Sequence, residues 1–158
     1  MRRSSAAAAL AVVAVVVACT RPALPPRLAG LHRTRVWTGA RAARMVADLH
    51  GRDVAPHESV VADYGPSGQL RVWLARYPDG VEAAEVLTRM VEGMRGGRTP
   101  FSEPHQLPNA PGRWVTVGPG GHSVIWASGP LLYWLQGEPE TVLRAADELP
   151  PPSRGQLT

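Results

Sequence analysis

Two imidazoles and a carboxylate lie close together in the chain, at His50, Asp53 and His57. Side chains of these types supply the nitrogen and oxygen ligands of zinc and other divalent ions. Their spacing matches no standard metal site, so further ligands would have to come from distant parts of the chain. A histidine in the last turn of a helix, as expected for His50, is also favourable against the helix C-terminus. Two interpretations therefore stay open, a metal site and a set of surface and capping side chains.

Tryptophan is the dominant aromatic residue, with five tryptophans against three tyrosines and one phenylalanine. Four of the tryptophans fall on the longer predicted strands, where alternate residues share one face of a sheet. Large rings offer contact area at low entropic cost, so an aromatic face would suit a flat, apolar or sugar-like group or a partner protein. The same rings would also serve as core residues, and this alternative stays open. The candidate binding residues are Trp73, Tyr77, Trp114, His122, Trp126 and Trp134.

The sequence contains no catalytic motif that we recognise. The nearest approach to a Gly-x-Ser-x-Gly nucleophile elbow, at residues 65–69, has Gln69 where the last glycine is required. The glycine-rich residues 118–121 lie between two predicted strands, without the following helix that would hold a phosphate. We therefore expect a non-catalytic protein without a cofactor. The alternatives are a metal-binding or haem-binding protein and a hydrolase with an unrecognised site.

The N-terminal segment has the order of an export signal. Arg2 and Arg3 precede an apolar run of 13 residues, 6–18, and Cys19, the only cysteine, follows it. A run of this length suits a signal peptide and is shorter than the about 20 residues that span a membrane. Val16-Val17-Ala18-Cys19 resembles the lipobox of bacterial lipoproteins, although that family usually has leucine at the position of Val16.

The lipoprotein resemblance covers residues 1–19 and implies removal of the signal and lipid modification of Cys19. Cleavage at an ordinary signal-peptidase site after Ala18 is the alternative and would release a soluble protein. That protein would carry one unpaired, reactive thiol, which favours lipidation. We expect an exported protein anchored to the cell membrane or outer membrane through Cys19. It would face the periplasm or the exterior and bind an unidentified ligand or envelope protein.

The basic composition does not indicate a nucleic-acid partner. All 17 basic residues are arginines, and the absence of lysine, with abundant alanine, glycine and proline, is typical of a GC-rich genome. Six arginines precede Val36, whereas all 13 acidic residues follow it. The excess of positive charge therefore belongs to the N-terminal segments, while a nucleic-acid site would place it on the folded domain.

Hydrophobic periodicity and turn residues predict an α+β protein. Six strands are expected, at 36–37, 59–64, 70–77, 113–117, 122–127 and 131–136. Helices are expected after Thr38, Asp79 and Glu138. The order β-α-β-β-α-β-β-β-α predicts a single antiparallel sheet with helices on one face, and its beginning resembles ferredoxin-like folds in element order.

Four segments follow from this interpretation. Residues 1–18 are the signal peptide, and residues 19–35 form a lipid-anchored linker rich in proline and arginine. Residues 36–149 form one α+β domain, and residues 150–158 form a disordered tail. A proline-rich linker of this length would hold the domain some tens of Å from the membrane, at about 3 Å per residue. Its arginines would attract anionic headgroups.

Overall fold

One antiparallel sheet forms the centre of the protein in its computed structural model, which describes residues 23–50 and 56–153 apart from the His50 side chain. The described strands are β1 (Arg27–Leu28), β2 (Leu31–Thr38), β3 (Glu58–Tyr64), β4 (Leu70–Arg76), β5 (His105–Leu107), β6 (Ala110–Gly118), β7 (Gly121–Ser128) and β8 (Leu131–Gly137). The described helices are α1 (Gly39–His50), α2 (Gly80–Arg95) and α3 (Pro139–Asp147). The predicted α+β class and its single antiparallel sheet are confirmed.

The strands lie in the spatial order β1-β2-β3-β4-β8-β7-β6-β5. Two ribbons, β1 to β4 and β5 to β8, join where β4 pairs with β8 from Leu70↔Gly137 to Arg76↔Leu131. The ferredoxin-like beginning is wrong, because β2 pairs antiparallel with β3 directly across α1. A split β-α-β unit would instead connect parallel strands. The element order also gains two short strands, β1 and β5, that the sequence did not indicate.

The strands predicted at 59–64 and 70–77 correspond to β3 and β4, which form a hairpin. Strands β3 and β4 pair without a break from Glu58↔Arg76 to Tyr64↔Leu70. The turn between them uses Gly65 and Gly68 at φ of 79° and 66°. Glycine adopts such positive φ values without steric cost, which explains the glycine at both positions.

Helix α2 begins where its sequence predicts. The Asp79 side chain accepts hydrogen bonds from the backbone N–H groups of Val81 and Glu82, both at 2.9 Å. This is the usual interaction of an N-cap aspartate, and it satisfies donors that have no partner inside the helix. Helix α3 has Pro139 at its start, where the missing N–H costs nothing.

Helices cover both faces of the sheet, so the prediction of helices on one face is wrong. Helices α1 and α2 pack on the face that carries Val61, Trp73 and Ile125. Helix α3 packs on the opposite face, which carries Val72, Val124 and Leu135. The central strands are apolar on both sides, as their burial patterns show. Each apolar face has to be covered, since exposed apolar area is unfavourable in water.

The segment before β2 belongs to the domain, so the prediction of a linker over residues 19–35 is wrong from Leu24 onward. Leu24 and Leu28 are buried in the core on the α3 side of the sheet. The Tyr64 hydroxyl donates to the Pro25 carbonyl at 2.8 Å, and the Arg33 guanidinium donates to the Leu24 carbonyl at 2.7 Å. The prolines and arginines of this segment suggested a solvated chain, but burial of Leu24 and Leu28 and these hydrogen bonds hold it on the domain.

The first residues of the predicted disordered tail are also packed on the domain. The Trp126 indole N–H donates to the Pro150 carbonyl at 2.8 Å. The Gly129 N–H donates to the Ser153 hydroxyl at 2.6 Å. The prediction of a disordered tail is therefore wrong for residues 150–153, and residues 154–158 lie outside the described part of the chain.

Candidate functional site

The predicted aromatic residues do not form one exposed surface. Trp73, Tyr77 and Trp134 are buried beneath α1 and α2, whereas Trp126 is buried on the opposite side of the sheet. The interpretation of these four rings as a binding face is wrong, and the alternative of core packing holds for them. For Trp73, Tyr77 and Trp134 the cause is the layer of α1 and α2, which covers the face that was expected to be open. Trp126, in contrast, packs on the α3 side.

The buried rings make specific contacts that account for their positions. The Trp134 ring meets Phe101 edge to face with centroids 5.0 Å apart, and its indole N–H donates to Ser123 Oγ at 3.1 Å. The Trp126 ring stacks on Tyr133 at 4.8 Å. Buried tryptophans need a partner for the indole N–H, and both find one inside the domain.

Trp114 and His122 are partly exposed but do not meet each other. Trp114 lies on β6 beneath the Arg95 guanidinium, whose central carbon is 4.9 Å from the ring centroid. His122 lies on β7, opposite Val117 on one neighbouring strand and Gly137 on the other. These two residues therefore do not assemble a site with the buried rings.

The predicted metal-ligand group falls largely outside the described residues. Asp53 and the His50 side chain are not described, whereas His57 is exposed beside a depression of about 490 Å³ at the start of α1. Within residues 23–50 and 56–153, no three His, Cys, Asp or Glu side chains are placed to hold a metal ion. Cys19, the predicted lipidation site, also lies outside the described residues.

The structure brings together a partly exposed group, of which the sequence had singled out only Trp73 as a candidate site residue. We call it the Trp37 cluster, and it consists of Trp37, Arg41, Asp63, Arg71 and Trp73. Strand β2 supplies Trp37, β3 supplies Asp63, β4 supplies Arg71 and Trp73, and α1 supplies Arg41.

An ion pair fixes the position of Arg71 in this cluster. Its Nε donates to Asp63 Oδ1 at 2.6 Å and its Nη2 donates to Oδ2 at 2.9 Å. The Asp63 side chain is 5% exposed and the Arg71 side chain 39% exposed. The hydrogen bond to Asp63, together with the negative charge of Asp63, raises the pKa of Arg71 against the opposing effect of burial. A bidentate pair of this kind orients the guanidinium rigidly.

Two arginines lie over Trp37. The central guanidinium carbons of Arg41 and Arg71 are 5.6 Å and 5.7 Å from the centroid of its ring. Arg71 lies at the same 5.7 Å from Trp73. Cations within about 6 Å of a ring centroid are attracted to the ring electrons. The cluster thus holds positive charge and a partly exposed indole together at the surface.

A depression of about 300 Å³ lies beside the cluster, between β2 and the β3–β4 turn. Its lining includes the charged residues Arg35, Asp63 and Arg71. Because Asp63 balances Arg71, the exposed Arg35 leaves the depression with a net positive charge. An arrangement of this kind attracts anionic groups, since arginine binds phosphate and carboxylate oxygens.

Comparison with known proteins adds no relative, because no protein-family model, curated protein or solved structure matches the chain. In the part of the chain that the structure describes, no helix is both long and apolar enough to cross a membrane.

Proposed function

We propose that this protein is a membrane-tethered lipoprotein of the bacterial cell envelope, with a folded domain that binds without catalysis. The observation that carries the proposal is the position of the only cysteine, Cys19, directly after Ala18 at the end of an apolar run of signal length. A chance placement of a sole cysteine at this point of an export signal is improbable.

The fold changes the expected geometry of the tether. Leu24 is already buried in the core, so only residues 20–23 separate Cys19 from the folded domain. A fully extended chain covers at most about 3.6 Å per residue, so this connection spans less than about 20 Å. A domain anchored at Cys19 would therefore lie near the membrane surface. The connection between Cys19 and the domain would be shorter than the tens of Å expected for a linker over residues 19–35.

The Trp37 cluster is the part of the described surface that best supports a binding role. It combines the partly exposed indole of Trp37 with the guanidinium groups of Arg41 and Arg71. Aromatic rings and arginines are enriched where proteins recognise partners, and the charge of this group favours an anionic one. The binding function is assigned to the exposed and partly exposed members of this cluster, Trp37, Arg41 and Arg71, in place of the buried tryptophans.

The lipid anchor is tested by intact mass and membrane fractionation of the full chain and its Cys19→Ser variant, expressed in a related bacterium. We expect the natural chain to lack residues 1–18, to carry the mass of two or three acyl chains, and to sediment with membranes. The variant is expected to lose the added mass and the membrane association. Equal urea unfolding of the two forms would show that the domain itself is unchanged.

An unlipidated natural chain, recovered from the soluble fraction, would refute the proposed anchor. The protein would then be a released one, and extracellular ligands would be the first to test.

A further inference from the structure

The positive charge of the domain is concentrated at one edge of the sheet. Residues 23–47 contain five arginines and no acidic residue, whereas residues 56–153 contain seven arginines and eleven acidic residues. The first group builds β1, β2 and most of α1, and these strands end the sheet. We call the exposed arginines there the basic edge, which consists of Arg27, Arg35, Arg41 and Arg44.

The strand register turns the charges of the basic edge toward solvent. Leu28 pairs with Leu31, and both pack into the core. Arg27 pairs with His32, and side chains of successive residues alternate between the two sides of a strand. Arg27 and His32 therefore face away from the core, and both are exposed.

Acidic side chains offset part of this charge. Asp63 is neutralised by Arg71 in a bidentate ion pair, whereas the Glu148 carboxylate, which accepts the Ala29 N–H at 3.1 Å, keeps its negative charge. Asp48, the one acid of α1, lies four residues after Arg44. Four arginines against these two carboxylates leave the basic edge with a net positive charge for an outside partner.

Apolar side chains accompany the charges at this edge. Val36 is 48% exposed, and the neighbouring Trp37 is partly exposed between Arg41 and Arg71. A tryptophan flanked by arginines is the composition found at the headgroup level of membranes, where rings and long cationic stems are both amphipathic.

The anchored end of the chain enters the domain at this same edge. The Arg33 N–H donates to the Pro26 carbonyl at 2.9 Å, which places the N-terminal segment directly beside β2. We infer that the basic edge docks on the anionic headgroups of the bilayer that holds the anchor. This inference rests on the proposed lipid anchor, because the short connection to Cys19 is what brings this edge to the surface.

Docking is tested with the mature protein, purified from host membranes and placed in phosphatidylcholine vesicles with or without phosphatidylglycerol. A fluorophore is attached at Val36→Cys, or at Val117→Cys as the control near the opposite edge of the sheet. Cys19 is the only native cysteine and its thiol is blocked by lipidation, so each variant carries one label. A spin label on the lipid headgroups serves as the quencher.

We expect strong quenching at residue 36 in phosphatidylglycerol vesicles and weak quenching at residue 117 in both vesicle types. High salt should remove the difference at residue 36, because the screening length falls from about 10 Å at 0.1 M to about 3 Å at 1 M. Equal quenching at residues 36 and 117 would overturn the docking. Quenching at residue 36 that does not depend on phosphatidylglycerol or salt would also overturn it.

Two triple arginine-to-glutamine variants identify the side chains responsible for docking. Arg27→Gln, Arg35→Gln and Arg41→Gln, combined in one protein, should abolish the quenching that depends on phosphatidylglycerol. The control protein loses the same charge elsewhere, through Arg89→Gln, Arg95→Gln and Arg98→Gln, and should behave like the natural chain. Equal behaviour of the two triple variants would also overturn the docking.

The anchor and the docking can fail separately. A lipidated protein without preferential quenching at residue 36 retains the anchor and refutes the docking. If the label at residue 36 is shielded only when other envelope proteins are added, the edge binds a protein partner instead. A protein that is not lipidated refutes the anchor. Its free form should still bind phosphatidylglycerol vesicles with a partition coefficient that falls about fivefold per removed arginine if the edge recognises headgroups.

Discussion

At the residue scale, the pair of Asp63 and Arg71 determines the geometry of the exposed cluster. A buried carboxylate is tolerated only when its charge is matched and its oxygens are hydrogen-bonded. Arg71 supplies both, and its stem places the guanidinium beside the rings of Trp37 and Trp73. Loss of Arg71 would leave the Asp63 carboxylate buried without its counter-charge.

Arg71→Ala is expected to reduce the free energy of unfolding by about 2 kcal/mol, because it leaves a buried charge unpaired at a partly exposed site. Addition of Asp63→Asn should recover much of that loss, since a neutral amide is less costly to bury. Urea unfolding of the single and double variants measures both effects.

The control for these Arg71 and Asp63 variants is Arg89→Ala. Arg89 forms a 3.9 Å ion pair with Glu85 on the exposed side of α2, and the change should cost less than about 0.5 kcal/mol. A loss for Arg71→Ala no larger than that of the control would contradict the structural role of the pair.

The sequence held a partial signal for this cluster. Arg71 and Trp73 share one face of β4 by simple alternation, and a hairpin whose predicted strands end at Tyr64 and begin at Leu70 sets Asp63 opposite Arg71. The sequence could not indicate Trp37 as the exposed member, because its position depends on β2 pairing with β3 across α1. Exposure of a tryptophan is a tertiary property, and the positions of the helices decided it here.

At the element scale, the N-terminal segment is the part of the fold that the sequence predicted least well. β1 has only two residues, and its pairing with β2 gives few hydrogen bonds of its own. Its order depends instead on burial of Leu24 and Leu28 and on the hydrogen bonds of Tyr64 and Arg33 to the neighbouring carbonyls. Contacts of this kind join residues far apart in sequence and leave no periodic pattern.

Leu28→Ala should therefore destabilise the domain by about 3 kcal/mol, as expected for a leucine in a packed core. Leu28 is 0% exposed. The matched control is Leu143→Ala on α3, where Leu143 is 40% exposed and the loss should stay below about 1 kcal/mol. Chemical denaturation of both variants provides the comparison, and equal losses would mean that residues 24–28 are not part of the core.

Helix α2 shows which features of a helix its hydrophobic periodicity predicts and which it does not. Its start after Asp79 followed from the sequence, but Val81, an apolar residue of its first turn, is exposed. The buried positions are Ala83, Val86, Leu87, Val91 and Met94. Small and medium apolar residues occur on several sides of this helix, so its sequence predicts that a helix forms better than it predicts which side packs on the sheet.

At the scale of the whole molecule, the double layer of helices buries all three tyrosines within the domain. Burial raises the pKa of Tyr64 and of Tyr77 to about 12, and it also raises the pKa of Tyr133. The pKa of such a phenol is higher in the folded state than its value near 10 in the unfolded state. Its contribution to stability is therefore fully present below pH 10. This contribution is lost as the pH rises through the folded-state pKa.

The free energy of unfolding is accordingly expected to fall between pH 10 and pH 12, the interval set by Tyr64 and Tyr77. Ultraviolet absorbance should show late ionisation of the phenols in the folded protein. Urea unfolding across the same interval should show a shallower decline for the combined Tyr64→Phe and Tyr77→Phe variant. A natural chain whose stability stays constant through this interval would be inconsistent with buried, neutral tyrosines.

The two outermost strands of the sheet are its shortest, with two residues in β1 and three in β5. Strand edges with unpaired N–H and C=O groups recruit strands from other molecules, and short edges limit this pairing. Pro104 and Pro108 also flank β5, where they offer no N–H to an incoming strand. A protein held at a membrane by the proposed anchor would meet its copies at high local density, and these short outer strands would limit the joining of neighbouring domains into a continuous sheet.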